Sequence, residues 1–482
     1  MPNLDRRALL AATTAAAVLP RSAEARKTVV DDSWAPVAKI LRQIVAPTFP
    51  KRDFDIRQFG ADATDQGKTT KAIADAIAAC NQAGGGRVVV PAGTWPTGAI
   101  VLKSWVNLYL SNDATLAFST DPKDYPLVLT RFEGVECMNY SSLIYAYGEH
   151  NIAVTGEGTL DGQADATHWW DWTKQARDPK YGNAVEVLGK MAEDGLPVEQ
   201  RIIGDRGRLR PNFVQPYRCT NVLLEGFTIK RSPMWELHPV LSQNVTVRGV
   251  RIDSTGPNND GCDPESCRNV LIEKVIFNTG DDCIAIKSGR NADGRRIGVP
   301  SENIVIRDCR MVGGHGGVSL GSEASGGIRN IYVRDCHMGS PNLNRALRMK
   351  SNSYRGGYIT DIVFRDVAID QVADDIMQVT LDYGEGNGGP FKPKMGRVVM
   401  ENVTCKKAKR AFDIAGYADN PIDTVDIRNC VFDTVAEPAF IASATVNARS
   451  VTINGQPWRP VLSSPEDIAK HHAAAAGDAG PK

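Results

Sequence analysis

Asp260 closes the run Asn258-Asn259-Asp260, and Asp281 and Asp282 follow 21 residues later in Gly280-Asp281-Asp282-Cys283. Three carboxylates gathered at one place repel, which raises at least one pKa and leaves one group protonated near neutrality. Hydrolysis of a glycosidic bond needs that division: an acid for the leaving oxygen and a carboxylate to activate water. Acidic residues in turns also bond simply to local backbone, and clustered carboxylates suit a hard cation such as calcium. Residues further along decide between these readings. Gly314-His315-Gly316 puts an imidazole on a glycine-flanked turn, where the backbone leaves room for a bulky ligand. In Arg348-Met349-Lys350 the two cations alternate onto one side of a strand. Such a pair can hold a sugar carboxylate, Arg by a bidentate fork and Lys as a point charge.

The elements that must position these side chains follow from a repeat. Asn221-Val-Leu-Leu-Glu, Asn244-Val-Thr-Val-Arg, Asn269-Val-Leu-Ile-Glu, Asn303-Ile-Val-Ile-Arg and Asn330-Ile-Tyr-Val-Arg are copies of one pattern, with looser copies at Asn151, Asp361, Arg397, Thr424 and Ser450. From 221 onward the starts lie 23, 25, 34, 27, 31, 36, 27 and 26 residues apart. Each copy alternates apolar and polar residues, as a short strand with one inward face does. Short strands at this period, without intervening helices, predict a solenoid; propeller blades need about 40 residues, and a leucine-rich lattice is missing. The fold expected is all-β: a single-domain right-handed parallel β-helix, with coils about 4.8 Å apart. A spacing of 21 is one coil, so the three acids stack on one face. His238, in Trp235-Glu-Leu-His238-Pro, lies 22 residues before Asp260. The same arithmetic sets it beside the acids at the cleft edge, shaping a sugar subsite.

An open solenoid end would expose core and unpaired backbone. Ala72, Ile73, Ala76, Ile77 and Cys80 form one helical stripe between Thr69 and Gly84-Gly85-Gly86, which predicts an N-terminal capping helix. The expected organisation is a signal peptide at 1–25, an extension at 26–52, the β-helix domain at 53–460 and a flexible tail at 461–482. The leader reading rests on Arg6-Arg7, the 12-residue apolar run from Ala8 to Leu19 and the Ala23-Glu24-Ala25 cleavage pattern, which together suggest twin-arginine export. That run is too short to span a bilayer.

Lys+Arg and Asp+Glu both number 56, and removing residues 1–25 takes Arg6, Arg7 and Arg21 against Asp5 and Glu24, leaving 53 against 54. A near-neutral chain offers nucleic acid no global field, and it has no further membrane segment. An acidic substrate must therefore meet local cations. The ten cysteines are widely spread, with no CxxC pair; folding before export implies buried thiols, Cys262 and Cys267 being the pair closest to bridging. No nucleotide loop, haem signature or metal-ligand cluster is present in the sequence, so neither cofactor nor metal is expected.

With these motifs in order, the sequence closely resembles the polygalacturonases, glycoside hydrolase family 28. The family's Asn-Thr-Asp, Gly-Asp-Asp, Gly-His-Gly and Arg-Ile-Lys stand here as Asn258-Asn259-Asp260, Gly280-Asp281-Asp282, Gly314-His315-Gly316 and Arg348-Met349-Lys350, over a similarity covering roughly residues 53 to 455. Asn259 and Met349 are departures that remove no charged group. The resemblance implies an inverting, monomeric hydrolase of α-1,4-galacturonan in pectin, and the leader implies export to the periplasm or the medium. It implies Asp281 as general acid, Asp260 and Asp282 as bases positioning water, and His315 as tuning the acid. Arg348 and Lys350 would bind the galacturonate carboxylate, and Tyr383 in Asp382-Tyr383-Gly384 would contact substrate. Inversion comes from the family alone, since stacked coils set the carboxyls closer than the usual 6.5–9.5 Å or so.

Exo action needs a wall at one end of the cleft. Insertions at Arg290 to Pro300, between 151 and 221, and around Gly384 to Lys394 could build one. Gly313 to Gly327, with Gly321-Ser322-Glu323, resembles bacterial exo-acting members, so exo action is expected. The alternatives are a hydrolase of rhamnogalacturonan or xylogalacturonan, a calcium-dependent pectate lyase, or a noncatalytic β-helix adhesin. The His-Gly and Arg-x-Lys elements speak against the lyase, and three acids stacked beside cations speak against the adhesin.

Overall fold

Each repeat opens on Asn because the backbone there turns through the left-handed region: Asn221, Asn244, Asn269, Asn303 and Asn330 have φ of 58, 56, 59, 57 and 57°. Asn tolerates that conformation better than other side-chain-bearing residues. Its amide then has a second use. Asn221 donates to Asn151 at 2.9 Å, Asn244 to Asn221 at 3.1 Å, Asn269 to Asn244 at 3.3 Å, Asn303 to Asn269 at 3.2 Å and Asn330 to Asn303 at 3.1 Å. The ladder locks coil register, because a slip of one residue would break every rung.

The computed structural model describes residues 32–178, 180 and 182–477; the leader expected at 1–25 lies outside the described residues. The chain is a right-handed parallel β-helix, with strands of successive coils paired in parallel through one continuous 27-stranded sheet. One inward column runs in register through Val222, Val245, Val270, Ile304, Ile331, Ile362, Val398 and Val425. Complete burial of each aliphatic side chain contributes roughly 1.5–3 kcal/mol. No helix among the described residues is long and apolar enough to cross a membrane.

Beside a single turn at Trp172–Gln175, five longer helices among the described residues sit on this frame: α1 (Val37–Gln43), α2 (Gln66–Gln82), α3 (Ala184–Glu193), α4 (Asn291–Ile297) and α5 (Pro465–Gly477). The predicted cap is α2, begun by Asp65, whose carboxylate accepts from Lys68 N at 3.0 Å. Its stripe of Ala72, Ile73, Ala76, Ile77 and Cys80 is buried on the first coils as expected. Within the extension, α1 resolves an irregularity of the repeat. Leu271, Val305, Tyr332, Val363 and Val399 form an outward apolar column, and Val37, Ile40 and Ile44 cover it. The C-terminus departs from the expected flexible tail: 465–477 is α5, held by the polar contacts of His471 and His472 and by Ile468 packed against Ala415, Phe440 and Ala442. All ten cysteines are buried free thiols, Cys262 and Cys267 included.

Candidate active site

The three acids stand on successive coils. Backbone register sets Asp282 beside Asp260, whose carbonyl neighbour Gly261 donates its N–H to Asp282 O at 3.0 Å, and carboxylate oxygens of Asp260, Asp281 and Asp282 lie within 4.8 Å of one another. Asn259 anchors the turn that presents Asp260. Its side-chain carbonyl accepts from Ser254 and Gly256 at 2.8 Å each, and its amide donates to Ser232 O at 3.0 Å and Met234 O at 3.1 Å. Arg210, also buried, donates to Asn258 Oδ1 at 2.7 Å and to Pro257 O at 2.7 Å.

The glycines around His315 are dictated by the acids. A Cβ on Gly316 would come within 2.8 Å of Asp282 Oδ1, and one on Gly314, at φ +146°, within 2.4 Å of Asp281 O. Only glycine lets this strand pass, and His315 therefore reaches Asp281, with Nδ1 2.9 Å from Oδ1 and the ring half-exposed to the groove. On the next coil Arg348 pairs with Ser319 and Lys350 with Gly321. Lys350 Nζ donates to Asp282 Oδ2 at 2.8 Å. The Arg348 guanidinium and the Lys350 ammonium lie 5.5 and 5.2 Å from the Tyr383 ring centroid, so both cations and the tyrosine face one space. Met349 points into the core.

Electrostatics divide the three carboxyls. Burial, with Asp263 and Asp281 nearby, pushes Asp260 well above the usual carboxylate range. Burial is the largest influence on Asp281 and opposes its ionisation, but the hydrogen bond to His315 together with the His315 and Lys350 charges holds the group below its ordinary value. At Asp282 burial is overcome by Lys350 and Arg348, and the carboxyl is held far down. Of the three, Asp260 is therefore the carboxyl whose protonated form is most favoured, while Asp281 is held toward its ionised form against a His315 whose own pKa that bond raises.

His238 requires correction. It is wholly buried and does not border the cleft. The interval at this corner is 25 residues, with Leu237 opposite Cys262, so His238 stacks over Asp263 and not Asp260. Its Nδ1 lies 2.8 Å from the Asn212 amide and 3.0 Å from that of Gln215, which fixes Nε2 as the donor to Glu265 at 2.8 Å. Arg131 closes this buried group, 3.0 Å from Glu265. His238 is a structural residue.

Lys287 escaped the sequence reading. Its buried Nζ lies 3.8 Å from Asp260, 3.6 Å from Asp263 and 3.4 Å from Glu323, and 4.5 Å from the Trp235 ring centroid. The signal was available: Lys287 directly follows the strand Ile284–Ile286, in register with Glu265 one coil before. Beyond Glu323 the three insertions converge. Arg290 meets Glu133 at 3.2 Å and Glu385 at 3.7 Å; Arg355 meets Glu385 at 3.2 Å and Asn291 at 2.9 Å; Arg177 pairs with Glu133. Behind them Asp293 of α4 binds Arg201 at 2.8 Å, and Glu193 of α3 accepts from Ala292 N at 3.2 Å. A charged wall, braced from several sides, thus adjoins the acids.

The pattern of glycosyl hydrolases family 28 matches residues 199–436. A solved structure of a hyperthermoactive exopolygalacturonase from Thermotoga maritima is 41% identical, with a TM-score of 0.83, over 88% of this chain and 96% of that one. The family 28 exopolygalacturonase of Yersinia enterocolitica superposes with a TM-score of 0.70 at 25% identity, over 86% of this chain and 77% of its own. A probable polygalacturonase from Vitis vinifera is 28% identical across 79% of this chain and 74% of its own.

Proposed function

The chain belongs to glycosyl hydrolases family 28, and from that premise we propose that it hydrolyses α-1,4-galacturonosyl linkages of pectin from a chain end, with inversion. The observation carrying this reading is the meeting of the three acids with the Arg348, Lys350 and Tyr383 receptor beside a braced wall. Two cations over one ring suit a uronate, whose carboxylate takes the guanidinium fork while its apolar face lies on the tyrosine.

Asp281 is assigned as the acid and Asp260 with Asp282 as the groups that orient and deprotonate water. The acid must gain a proton that the surroundings favour on Asp260 when no substrate is bound. Three carboxyls within 4.8 Å titrate as a set, so the proton is shared and its seat follows the surrounding charge. An arriving galacturonate carboxylate neutralises Arg348 and Lys350 and displaces water, which weakens the hold on the ionised forms of Asp281 and Asp282. The proton then moves to Asp281 and passes to the leaving oxygen as the anomeric carbon–oxygen bond breaks. Water attacks from the opposite face and gives its proton to the carboxylate left ionised. The product is a shortened chain and a free sugar of inverted configuration.

The braced wall beside the acids supports exo action, which needs an obstruction to chain threading. Arg6-Arg7 and the apolar run after it support export to the periplasm or the medium, and the family supports a pectic polysaccharide or oligogalacturonide as substrate. A time course on unesterified polygalacturonate, following reducing ends, viscosity and ultraviolet absorbance with and without chelator, tests the reading. Reducing ends should rise while viscosity barely falls, without absorbance. A steep viscosity drop would overturn exo action alone, and chelator-sensitive absorbance of an unsaturated product would overturn hydrolysis.

A further inference from the structure

We propose that Asp382, His471 and His472 form a binding site for one divalent transition-metal ion of the zinc class, fastening α5 to the coil that carries Tyr383. One ligand atom of each residue lies within 4.8 Å of the others, and two imidazoles with a carboxylate are the donor set such ions prefer over calcium or magnesium. Spacings of 58 and 90 residues from Asp413 and Asp382 to the two histidines hid the group from any local motif.

The surroundings are those of a metal-binding histidine. His471 Nε2 is committed to Asp413 Oδ1 at 2.9 Å, which leaves Nδ1 as the nitrogen with the free lone pair. That Nδ1 is buried and has no hydrogen-bond partner. A carboxylate behind one ring nitrogen fixes the tautomer and makes the other a better ligand. The ring is clamped flat against Phe440, with centroids 4.0 Å apart, and His472 against Tyr417 at 4.5 Å, so little conformational entropy remains for a metal to remove. His472 Nδ1 lies 2.6 Å from Asp382 Oδ2, and Tyr417 donates to the other oxygen of that carboxylate. Tetrahedral zinc with bonds of about 2.0–2.2 Å needs ligand atoms roughly 3.3 Å apart. The widest pair must therefore close slightly and the His472–Asp382 pair open slightly, both by side-chain rotation.

The site adjoins the substrate receptor by two routes. Asp382 directly precedes Tyr383, and Asp413 accepts from Gln378 at 2.9 Å, whose carbonyl accepts from Arg348 at 3.0 Å. The test uses chelator-stripped mature protein titrated with Co²⁺ and read by visible absorbance, then with Zn²⁺ by calorimetry. Saturation is expected at one Co²⁺ per chain, with the intense bands of a low-coordinate site, displaced by one equivalent of Zn²⁺. The Tm should rise by about 3 °C at Zn²⁺ a hundredfold above its Kd. The spectrum should persist in Asp282→Asn and vanish in His471→Ala and His472→Ala, with His472→Gln replacing the alanine variant should α5 detach. Absence of a saturable spectrum in the unaltered protein overturns the proposal, as does a spectrum that survives the histidine variants but is lost in Asp282→Asn.

Discussion

Two histidine–aspartate clusters flank the same receptor and are built in opposite ways. In the first, His315 and Asp281 meet because consecutive coils stack, and every partner, from Asn259 to Lys350, is fixed by strand register. In the second, α5 brings His471 and His472 across to Asp413 and Asp382 on a helix that lies outside the coils and is retained by its own side-chain contacts. Register buries charge and holds it under electrostatic load, whereas a docked helix offers similar groups in a less constrained setting. The first cluster should therefore be sensitive in chemistry and nearly rigid, the second tolerant and separable.

The largest effect should come from Asp281→Asn, which removes the assigned acid without changing shape. A fall in kcat of about 10³-fold, with a Tm within about 2 °C of the parent, is expected from single-turnover kinetics and calorimetry. Retained turnover would move the acid role to Asp260. Next in size is Lys350→Met. It strands the buried Asp282 carboxylate, so denaturant titration should register a loss of about 3–5 kcal/mol. Without that cation the pKa of Asp282 rises, and the acid limb of kcat/KM should move to higher pH.

His315→Ala sharpens the contrast through pH. The hydrogen bond to Asp281 raises the His315 pKa above 6.5, so its stabilisation is complete below that value and is lost as pH climbs through the folded value. Asp281 is shifted below 3.8, so its share is present above that and is lost as pH falls through its folded value. The gap in stability between parent and variant should thus be widest between pH 3.8 and 6.5. It should stay under about 1 kcal/mol because the ring is half-exposed. A gap independent of pH would mean that the pair does not titrate as described. Smallest is His472→Ala without added metal: a Tm decrease of about 1 °C and unchanged coil spectra, since a partly exposed pair contributes little. A large cooperative loss would show that α5 is as integral as α2.

Legibility followed the same division. The Asn repeat could be read because left-handed backbone restricts residue choice, and the acids, His315, Arg348 and Lys350 because each motif carries charge at a fixed place in a coil. His238 was misplaced because one coil was taken as 22 residues where its corner needs 25. Lys287 and Glu323 were missed for a related reason: the chemistry of a stacked corner depends on three coils at once. The wall depends on insertions that meet only in space, and α5 has contacts that are distant in sequence, which no periodicity reports.

The seating of α1 has a consequence for the order of folding. Residues 37–44 rest on a column drawn from Leu271, Val305, Tyr332, Val363 and Val399, none of which exists as a surface until the coils through 399 have closed. The first α-helix among the described residues is therefore among the last to find its place. A protease that cuts between α1 and α2, or a reporter dye near Trp34, would act as a clock for completion: the N-terminal segment stays accessible during assembly and becomes protected only when most of the solenoid is standing.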